Sequence, residues 1–337
     1  MLLLRSGWTK GAGLAGATGL LVVIGFASVA YGSKSIPLSV VWDALWHFDP
    51  GSNDHLIVRS LRVPRTVIGL GVGAALGLAG AVMQGVSRNP LADPGILGVE
   101  AGASLAVVVA INSFGVGSLT GYVWFAFAGA AIASVVVYTL GSMGRDGATP
   151  VKLALAGAAL AAMLGSITSA ILLLDVATLD EFRFWVVGSL AGRGADVVGQ
   201  VAPFVAVGLL LAFANSPALN LLGLGEDVAR GLGQRIWLAR LVGLTAITLL
   251  CGAATAACGP IAFVGLVVPH AVRALTGPDH RWLVPCSALA GAILLLTADV
   301  IGRVVARPAE LQVGIVLALV GAPFFIALVR RRKTAAL

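Results

Sequence analysis

The chain has 337 residues, of which 58% are hydrophobic and only 11% are charged. Its mean hydropathy of +0.99 excludes a water-soluble globular protein and is typical of an all-α polytopic membrane protein. One crossing takes roughly 20 residues, so residues 1–337 are expected to form a single transmembrane domain with about ten transmembrane helices.

Ten apolar blocks, bounded by charges or by Pro/Gly clusters, predict the membrane spans. The first is favoured as a retained span over a cleaved signal peptide, because its apolar run is long enough to cross. Only Cys258-Gly259-Pro260 separates the seventh block from the eighth. The blocks cover residues 12–31, 65–84, 95–111, 122–141, 151–174, 197–214, 237–257, 261–275, 283–300 and 310–329.

The basic residues predict the orientation of the chain. Ten spans place both termini on one side of the membrane, and of the 22 Lys and Arg residues 14 fall on that side and 8 on the other. The positive-inside rule therefore predicts that both termini are cytoplasmic. The net charge of +7 orients the chain and does not indicate nucleic-acid binding.

Two outer segments and two ladders of small residues stand out along the chain. Residues 34–65 form a long outer segment, and residues 179–185 (LDEFRFW) predict a short surface helix. The ladders predict close helix–helix contacts, which ordinary packing is enough to explain. They are Gly69, Gly73 and Gly77 on the second span, and Gly157, Ala161, Gly165 and Ser169 on the fifth.

The turn between the second and third spans contains two Asx-Pro pairs. Asn89-Pro90 and Asp93-Pro94 each resemble a helix N-cap followed by proline in the first turn. A structural turn explains them, but an inner gate would lie at the same place. Polar residues near mid-membrane on the fifth span also favour a wet pathway. The pathway and gate candidates are Gln84, Asn89, Ser166 and Thr168.

A polar segment, residues 216–236, follows the sixth span. Ser216-Pro217 can cap a first short helix, which Gly223 and Gly225 can break. Glu226-Asp227 can begin a second helix, since the helix dipole favours acids at the amino end. The segment therefore predicts two short helices at the cytoplasmic face.

The second of these helices is predicted to carry an apolar stripe, because Val228, Leu232 and Ile236 recur every four residues. The pattern fits a helix that lies on the membrane or one that docks to a soluble protein. Acidic residues at its start are poor partners for anionic lipid. Docking is slightly favoured.

Reactive side chains do not form an enzymatic constellation. The chain lacks HExxH and GxSxG motifs and a phosphate-binding loop with its lysine. His270 and His280 lie ten residues apart, without other ligand types at metal spacing, so a structural or solvated role is predicted. We predict neither an enzyme nor a metal site in this chain.

The acidic residues of the last outer loop have a plain explanation. Asp299 and Glu310 fall at span ends near Arg303 and Arg307, where ion pairing or solvation suffices. Carboxylates at the centre of the membrane, which mark many ion-coupled secondary transporters, are missing from the predicted spans. A secondary transporter is therefore a remote alternative.

Short motifs recur in order over most of the chain. They are residues 61–65 (LRVPR), 80–84 (GAVMQ), 88–98 (RNPLADPGILG), 184–189 (FWVVGS), 224–226 with 232–233, 259–266 (GPIAFVGL) with 269–270, 298–299 with Arg303, 310–311 and 321–324 (GAPF). Together they resemble the permease subunits of the iron-siderophore, haem and vitamin B12 family of ATP-binding-cassette (ABC) importers.

This resemblance implies a type II ABC importer permease fold in a bacterial cytoplasmic membrane. It implies a second permease subunit around a central pathway, two cytoplasmic ABC ATPase subunits and an extracytoplasmic substrate-binding protein. ATP and Mg²⁺ would be bound by the ATPases, since this chain lacks a phosphate loop. Transport would then be alternating access by rigid bodies, with no cofactor on this chain.

The resemblance also assigns roles to matching residues. Arg62, Arg65 and Arg303 match outer-face arginines that pair with acids of the binding protein, where rim charges fix orientation and on-rate more than affinity. Gln312 stands where many relatives have proline, which leaves the start of the last helix open. The residues that match the family's coupling helices are Leu224, Gly225, Glu226, Asp227, Ala229, Arg230, Leu232 and Gly233.

Residues 179–189 and 279–282 look closest to permeases for ferric catecholate siderophores such as ferric enterobactin. The resemblance implies a ferric siderophore as substrate, with haem and cobalamin as alternatives. That subgroup often uses two different permease chains, so a paralogous partner is favoured over an identical copy.

Overall fold

The computed structural model describes residues 7–143 and 149–334, and this part of the chain is built from helices without a β-strand. Arg5 and Arg145, two residues of the charge count, lie outside the described residues. The α-helices are α1 (Gly7–Ala30), α2 (Leu38–Trp46), α3 (Asn53–Leu56), α4 (Val63–Ser87), α5 (Val99–Phe114), α6 (Leu119–Ser142), α7 (Pro150–Leu174), α8 (Val176–Val186), α9 (Ala195–Gly223), α10 (Glu226–Gly231), α11 (Ile236–Cys258), α12 (Val264–Thr276), α13 (His280–Val305) and α14 (Val313–Thr334).

Ten of these helices correspond to the ten predicted spans. Seven of the described helices are long and apolar enough to cross a membrane, and α5, α12 and the apolar part of α14 are shorter. Irregular or 3-10 backbone precedes each short helix, and a membrane protein tolerates such backbone where it is buried in protein. The prediction of an all-α membrane domain of about ten helices is confirmed, as is the short surface helix, now α8.

Two helices begin at residues other than the predicted ones, and a capped turn explains the first difference. A 3-10 turn, Pro94–Leu97, replaces the expected start of α5, because the Asp93 carboxylate accepts the Gly95 N–H at 2.8 Å and caps that turn. Gly98 then adopts a left-handed φ of 70° before α5 begins. The last span begins at Val313, directly after Gln312.

The sixth predicted span is longer than expected. Ser216 and Pro217 lie inside α9, and Ser216 Oγ donates to the carbonyl of Ala212 one turn earlier instead of capping a new helix. The prediction of a first short helix at Ser216-Pro217 is therefore wrong. The separate polar element of residues 216–236 reduces to α10 and its flanking turns.

The centre of the bundle is α4, which packs most extensively against α13 and also contacts α9, α11 and α12. Its glycine ladder makes this possible, since a Cβ on Gly73 would lie 2.6 Å from Ala292 Cα and one on Gly77 would overlap the Ser287 carbonyl. The second ladder behaves differently. A Cβ on Gly157 would overlap the Ile96 carbonyl oxygen, whereas a Cβ on Gly165 would meet nothing within 4 Å.

Replacing Gly73 with alanine is expected to destabilise the bundle by about 1 to 3 kcal/mol, because the added methyl group must push backbone atoms of α13 away. Gly71 is the matched control, as a Cβ there meets nothing within 4 Å. Thermal unfolding of the purified variants should show a loss for Gly73→Ala and almost none for Gly71→Ala. Equal midpoints would contradict the packing described for this ladder.

The two ends of the bundle hold different helices and different charged residues. One end holds α10 together with the close of α9 and the start of α13, and Lys10 of α1 lies near Asp279 there. The other end holds Arg65 and the start of α14, where the Gly314 N–H donates to the Gly188 carbonyl. We call these the α10 end and the Arg65 end. Since α14 runs from the Arg65 end toward the α10 end, the two ends of the described chain share the α10 end.

Candidate functional site

The turn before α10 is shaped by glycine, and the helix that follows is one of the shortest in the fold. Gly225 has a φ of 107°, which lets the chain leave α9 and turn sharply into α10. Glu226 and Asp227 occupy the first turn, where the helix dipole favours negative charge. Ala229 is fully buried against the bundle.

Glu226 connects α10 to the rest of the α10 end through three arginines. Its carboxylate pairs with Arg240 of α11, with Arg88 at the close of α4 at 3.6 Å, and with Arg230 one turn along α10 at 3.6 Å. The Arg240 and Glu226 side chains are largely buried. Glu226 therefore links α10 by ion pairs to the end of α4 and to α11.

The surface of α10 faces away from the bundle. The side chain of Asp227 is 100% exposed, and Leu224, Val228 and Leu232 are exposed as well. Ile236 is buried at the start of α11. The predicted stripe of Val228, Leu232 and Ile236 is therefore wrong, because α10 ends at Gly231 and the chain turns before Ile236.

Gly233 completes the turn after α10 with a φ of 80°, and its N–H donates to the carbonyl of Arg230. The eight residues predicted to couple to an ATPase thus form one contiguous knob on the α10 end. We define the α10 knob as residues 224–235. Its exposed side chains include three apolar ones, the acid Asp227, and the arginines Arg230 and Arg235.

The pathway candidates lie in different environments. Gln84 is buried between α4 and α12, where its Nε2 donates to the Leu266 carbonyl and its Oε1 accepts from Arg273, both at 3.3 Å. Asn89 is exposed, and its Oδ1 accepts the Leu91 N–H in an Asx turn, so it does not cap a helix. Gln84 therefore joins two helices beside the turn that Asn89 shapes.

Ser166 and Thr168 both lie on α7 and bond backward to carbonyls of their own helix, at Ala162 and Leu164. Such bonds satisfy a hydroxyl without a partner helix. Ser166 is exposed and Thr168 is buried. The structure thus leaves only Ser166 of this pair open to a neighbouring surface.

Arg62 is an internal residue at the Arg65 end, since its guanidinium donates to the carbonyls of Val29, Ala30 and Lys34 and the residue is only 4% exposed. These carbonyls belong to the end of α1 and the chain that follows it. The expectation that Arg62 is an exposed rim charge is therefore wrong. Its donors fix the path of the chain between α1 and α2.

Arg303 and Arg65 share one buried carboxylate. Arg303 is 1% exposed and pairs with Asp299 at 2.9 Å, while Arg65 pairs with the same carboxylate at 2.8 Å and with Glu310 at 2.7 Å. Arg303 is thus not an exposed rim charge either. Only Arg65, beside the partly exposed Glu310, borders the surface.

Glu310 is held in its charged form by this arrangement. Partial burial would raise the pKa of its carboxyl, but hydrogen bonds from Arg65 and Ser33 and the charges of Arg65 and Arg303 together lower the pKa below its ordinary value. Arg307, which the sequence placed beside these acids, donates to the Gly32 carbonyl instead. The ion pairing predicted for Asp299 and Glu310 is confirmed, with Arg65 as the partner that spacing did not reveal.

The two histidines have structural surroundings. His280 is buried, and its Nδ1 lies 3.0 Å from Asn220 Oδ1. Within residues 7–143 and 149–334, no group of three or more potential metal ligands comes together. His270 lines a cavity of about 500 Å³ at the α10 end, together with His280 and Arg273.

Sequence reasoning missed two features of these sites. The Arg240–Glu226 pair could not be read from the sequence, because it joins residues on different helices. Nor did any pattern mark Arg193, which is buried between two cavities at the Arg65 end.

Comparisons with known proteins agree with this architecture. The model of the FecCD transport family matches residues 20–331. The ferric enterobactin transport system permease protein FepD of Escherichia coli (strain K12) is 50% identical over 93% of both chains. The probable siderophore transport system permease protein YfiZ of Bacillus subtilis (strain 168) is 42% identical over 90% of this chain and 91% of its own. Hemin and cobalamin import permeases are further relatives.

A solved structure has the same fold. It is described as an inward-facing conformation of a metal-chelate type ABC transporter, and it superimposes with a TM-score of 0.82 at 31% identity, covering 94% of this chain and 98% of its own. The family match extends over nearly all the described spans, α10 and the Arg65 end. The chain therefore belongs to the FecCD transport family.

Proposed function

We propose that this chain is the permease subunit of an ATP-driven importer that moves a ferric siderophore into the cytoplasm. The observation that supports a ferric siderophore as the substrate is the 50% identity with the E. coli ferric enterobactin permease over almost the whole of both chains. Haem and cobalamin are the alternative cargoes, supported by relatives of 36% and 38% identity.

The α10 end is the cytoplasmic end in this proposal, with both termini on that side. The excess of basic residues there supports it through the positive-inside rule. The Arg65 end then faces the extracytoplasmic space of a bacterial cytoplasmic membrane. A substrate-binding protein docks at the Arg65 end, and two ABC ATPases bind the α10 ends of two permease subunits.

The α10 knob is the ATPase contact. Its exposed apolar side chains and Asp227 offer a surface to a partner, while Glu226 connects the knob to Arg88 of α4 and Arg240 of α11. ATP and Mg²⁺ are bound by the partner. When the ATPases close, the movement passes through these ion pairs to α4, which contacts four other long helices.

The second permease subunit completes the pathway. Exposed Ser166 on α7 and exposed Asn89 at the inner turn are the pathway candidates that remain open to it, whereas Gln84 and Thr168 are satisfied within this chain. Purification of the transporter from its native membrane tests the composition. A paralogous permease in equal amount is expected, and a complex holding only copies of this chain would contradict it.

Neutralising Glu310 should strengthen docking of the binding protein at the Arg65 end. Glu310→Gln removes the acid that pairs with Arg65 Nη1 at 2.7 Å, so this nitrogen can pair with an acid of the docking protein while Nε and Nη2 stay on Asp299. We expect the dissociation constant to fall by about fivefold, equal to about 1 kcal/mol, the upper range for a partly exposed ion pair. The measurement is binding of the loaded protein to the assembled transporter in nanodiscs.

Asp43→Asn is the matched control, because Asp43 is an exposed acid on α2 near the same end, and its ion-pair partners within the described residues are histidines. It removes the same charge without freeing an arginine. Equal tightening by both variants would attribute the effect to net charge. Unchanged or weaker binding of Glu310→Gln would remove Arg65 from the docking surface.

A further inference from the structure

Arg193 is a buried cation without an acidic partner. It lies between α8 and α9, is 6% exposed, and its Nε donates to the Ser189 carbonyl at 3.3 Å. No carboxylate of the described residues forms an ion pair with it. Arg65 and Arg303, by contrast, share Asp299 at the same end of the bundle.

This arrangement leaves a largely buried positive charge that no acid of the described residues balances. Burial lowers the pKa of the Arg193 guanidinium, but from a value so high that the group stays charged. A buried charge is normally paired, because its lost hydration must be replaced. The Ser189 carbonyl accepts from Nε, and the rest of the guanidinium borders the cavities beside it, where no acid of the described residues balances its charge.

Arg193 borders two cavities at the Arg65 end. The first, of about 360 Å³, is also lined by Lys34, Arg62, Arg65 and Arg303, with Glu310 as its single acid. The second, of about 410 Å³, lies on the other side of Arg193 and is lined by Trp185, Ser189 and Gln312. Positive charge therefore exceeds negative charge around this guanidinium.

Trp185 supplies a second donor without an acceptor. Its Nε1 is buried and finds no hydrogen-bond partner among the described residues, and the residue is 2% exposed. It lines the same cavity as Arg193. Glu181, an exposed acid that also lines this cavity, accepts the Tyr122 hydroxyl at 2.9 Å and forms no ion pair with Arg193.

A cation without an acidic partner and an indole N–H without an acceptor, both lining one cavity, select an oxyanion. We propose that Arg193 and Trp185 form a carboxylate-binding site at the Arg65 end, which an aspartate or glutamate side chain of the docking protein enters. Each cavity is at the lower limit of those that hold a drug-sized ligand, so it admits a side chain and not a whole chelate. This inference rests on the proposed function, because it needs a protein that docks at this end.

The test uses the assembled transporter in nanodiscs and its binding protein. Arg193→Met keeps the length of the stem and removes the charge, and Trp185→Phe removes the N–H. Arg59→Met is the matched control, because Arg59 is an exposed arginine near the same end that stacks on Phe48. Two quantities are measured for each variant: the dissociation constant over a series of salt concentrations, and the midpoint of thermal unfolding.

Arg193→Met should weaken binding of the binding protein without lowering the stability of the permease. The dissociation constant should rise about tenfold or more and lose part of its salt dependence, as for a buried interfacial charge pair. The unfolding midpoint should stay or rise, because an unpaired buried charge has been removed. Trp185→Phe should weaken binding severalfold, and Arg59→Met by less than about twofold.

When the acids of the binding protein are replaced one at a time by their amides, one of these replacements should weaken binding as much as Arg193→Met does. Combined with Arg193→Met, that change should add no further loss. Unchanged binding of Arg193→Met, or a fall in its unfolding midpoint, would overturn the proposal. So would normal docking with impaired chelate uptake, since the anion would then be the substrate. If wild-type transporter binds no binding protein, the proposed function itself fails.

Discussion

Replacing Asp299 with alanine is expected to cost the permease about 3 to 5 kcal/mol of stability, the penalty for breaking a buried ion pair. Asp299 is fully buried and accepts from Arg65 Nε, Arg65 Nη2 and Arg303 Nη2 at 2.8 to 3.2 Å. Its removal leaves Arg303 charged, buried and without an acid. Two helices that meet at the centre of the bundle, α4 and α13, would lose their shared ion pair.

Reactivity of the buried cysteines measures this effect. Cys251 and Cys258 are residues of α11 whose side chains are buried in the bundle, so a thiol-reactive dye labels them only when the bundle opens. Asp299→Ala should label at a markedly lower temperature than wild type. Glu310→Gln, which removes the partly exposed partner of Arg65, serves as control and should shift the labelling temperature little. Equal shifts for both variants would contradict the central role of Asp299.

Replacing Glu226 with lysine is expected to uncouple ATP hydrolysis from transport. The new ammonium group would face Arg88, Arg230 and Arg240, so the attraction that connects the α10 knob to α4 and α11 becomes repulsion. A charged hydrogen bond contributes about 1.5 kcal/mol or more, and about 1.4 kcal/mol is tenfold in rate. Transport per ATP hydrolysed should therefore fall about tenfold or more.

The Asp227→Lys variant tests contact with the ATPase separately from the transmission of movement within the permease. Asp227 is fully exposed, so its reversal should weaken ATPase binding and leave the ion pairs of Glu226 with α4 and α11 in place. Asp180→Lys on α8 is the matched control, as Asp180 is an exposed acid paired with Arg183 at 3.1 Å on a short helix. Reconstituted vesicles report ATP hydrolysis and uptake together. Normal coupling in Glu226→Lys would remove this carboxylate from the coupling path.

The number and order of the spans could be predicted because hydropathy and chain length dictate them. The break at Cys258-Gly259-Pro260 proved real, since Gly259 has a φ of 77° and α12 begins only at Val264. Ser216-Pro217 misled the prediction because proline can lie inside a helix when a preceding hydroxyl bonds backward. Local sequence alone does not distinguish these two outcomes.

The site residues were harder to interpret than the spans. Motif similarity located Arg62, Arg65 and Arg303, but their exposure depends on Asp299, Glu310 and the carbonyls at the end of α1, which come from distant parts of the chain. The same holds for Glu226, whose partners lie on α4 and α11. A charge pattern in sequence therefore marks a candidate surface, and tertiary contacts decide which charges remain free.

Uptake into proteoliposomes tests the central claim most directly. Vesicles would contain this permease, its second subunit and the ATPases with ATP inside, and the binding protein loaded with an iron-labelled catecholate siderophore outside. The account predicts that the labelled chelate accumulates only with ATP and an active ATPase, and faster than haem or cobalamin offered on their own binding proteins. Accumulation that persists without the ATPase, or none with every partner present, would contradict it.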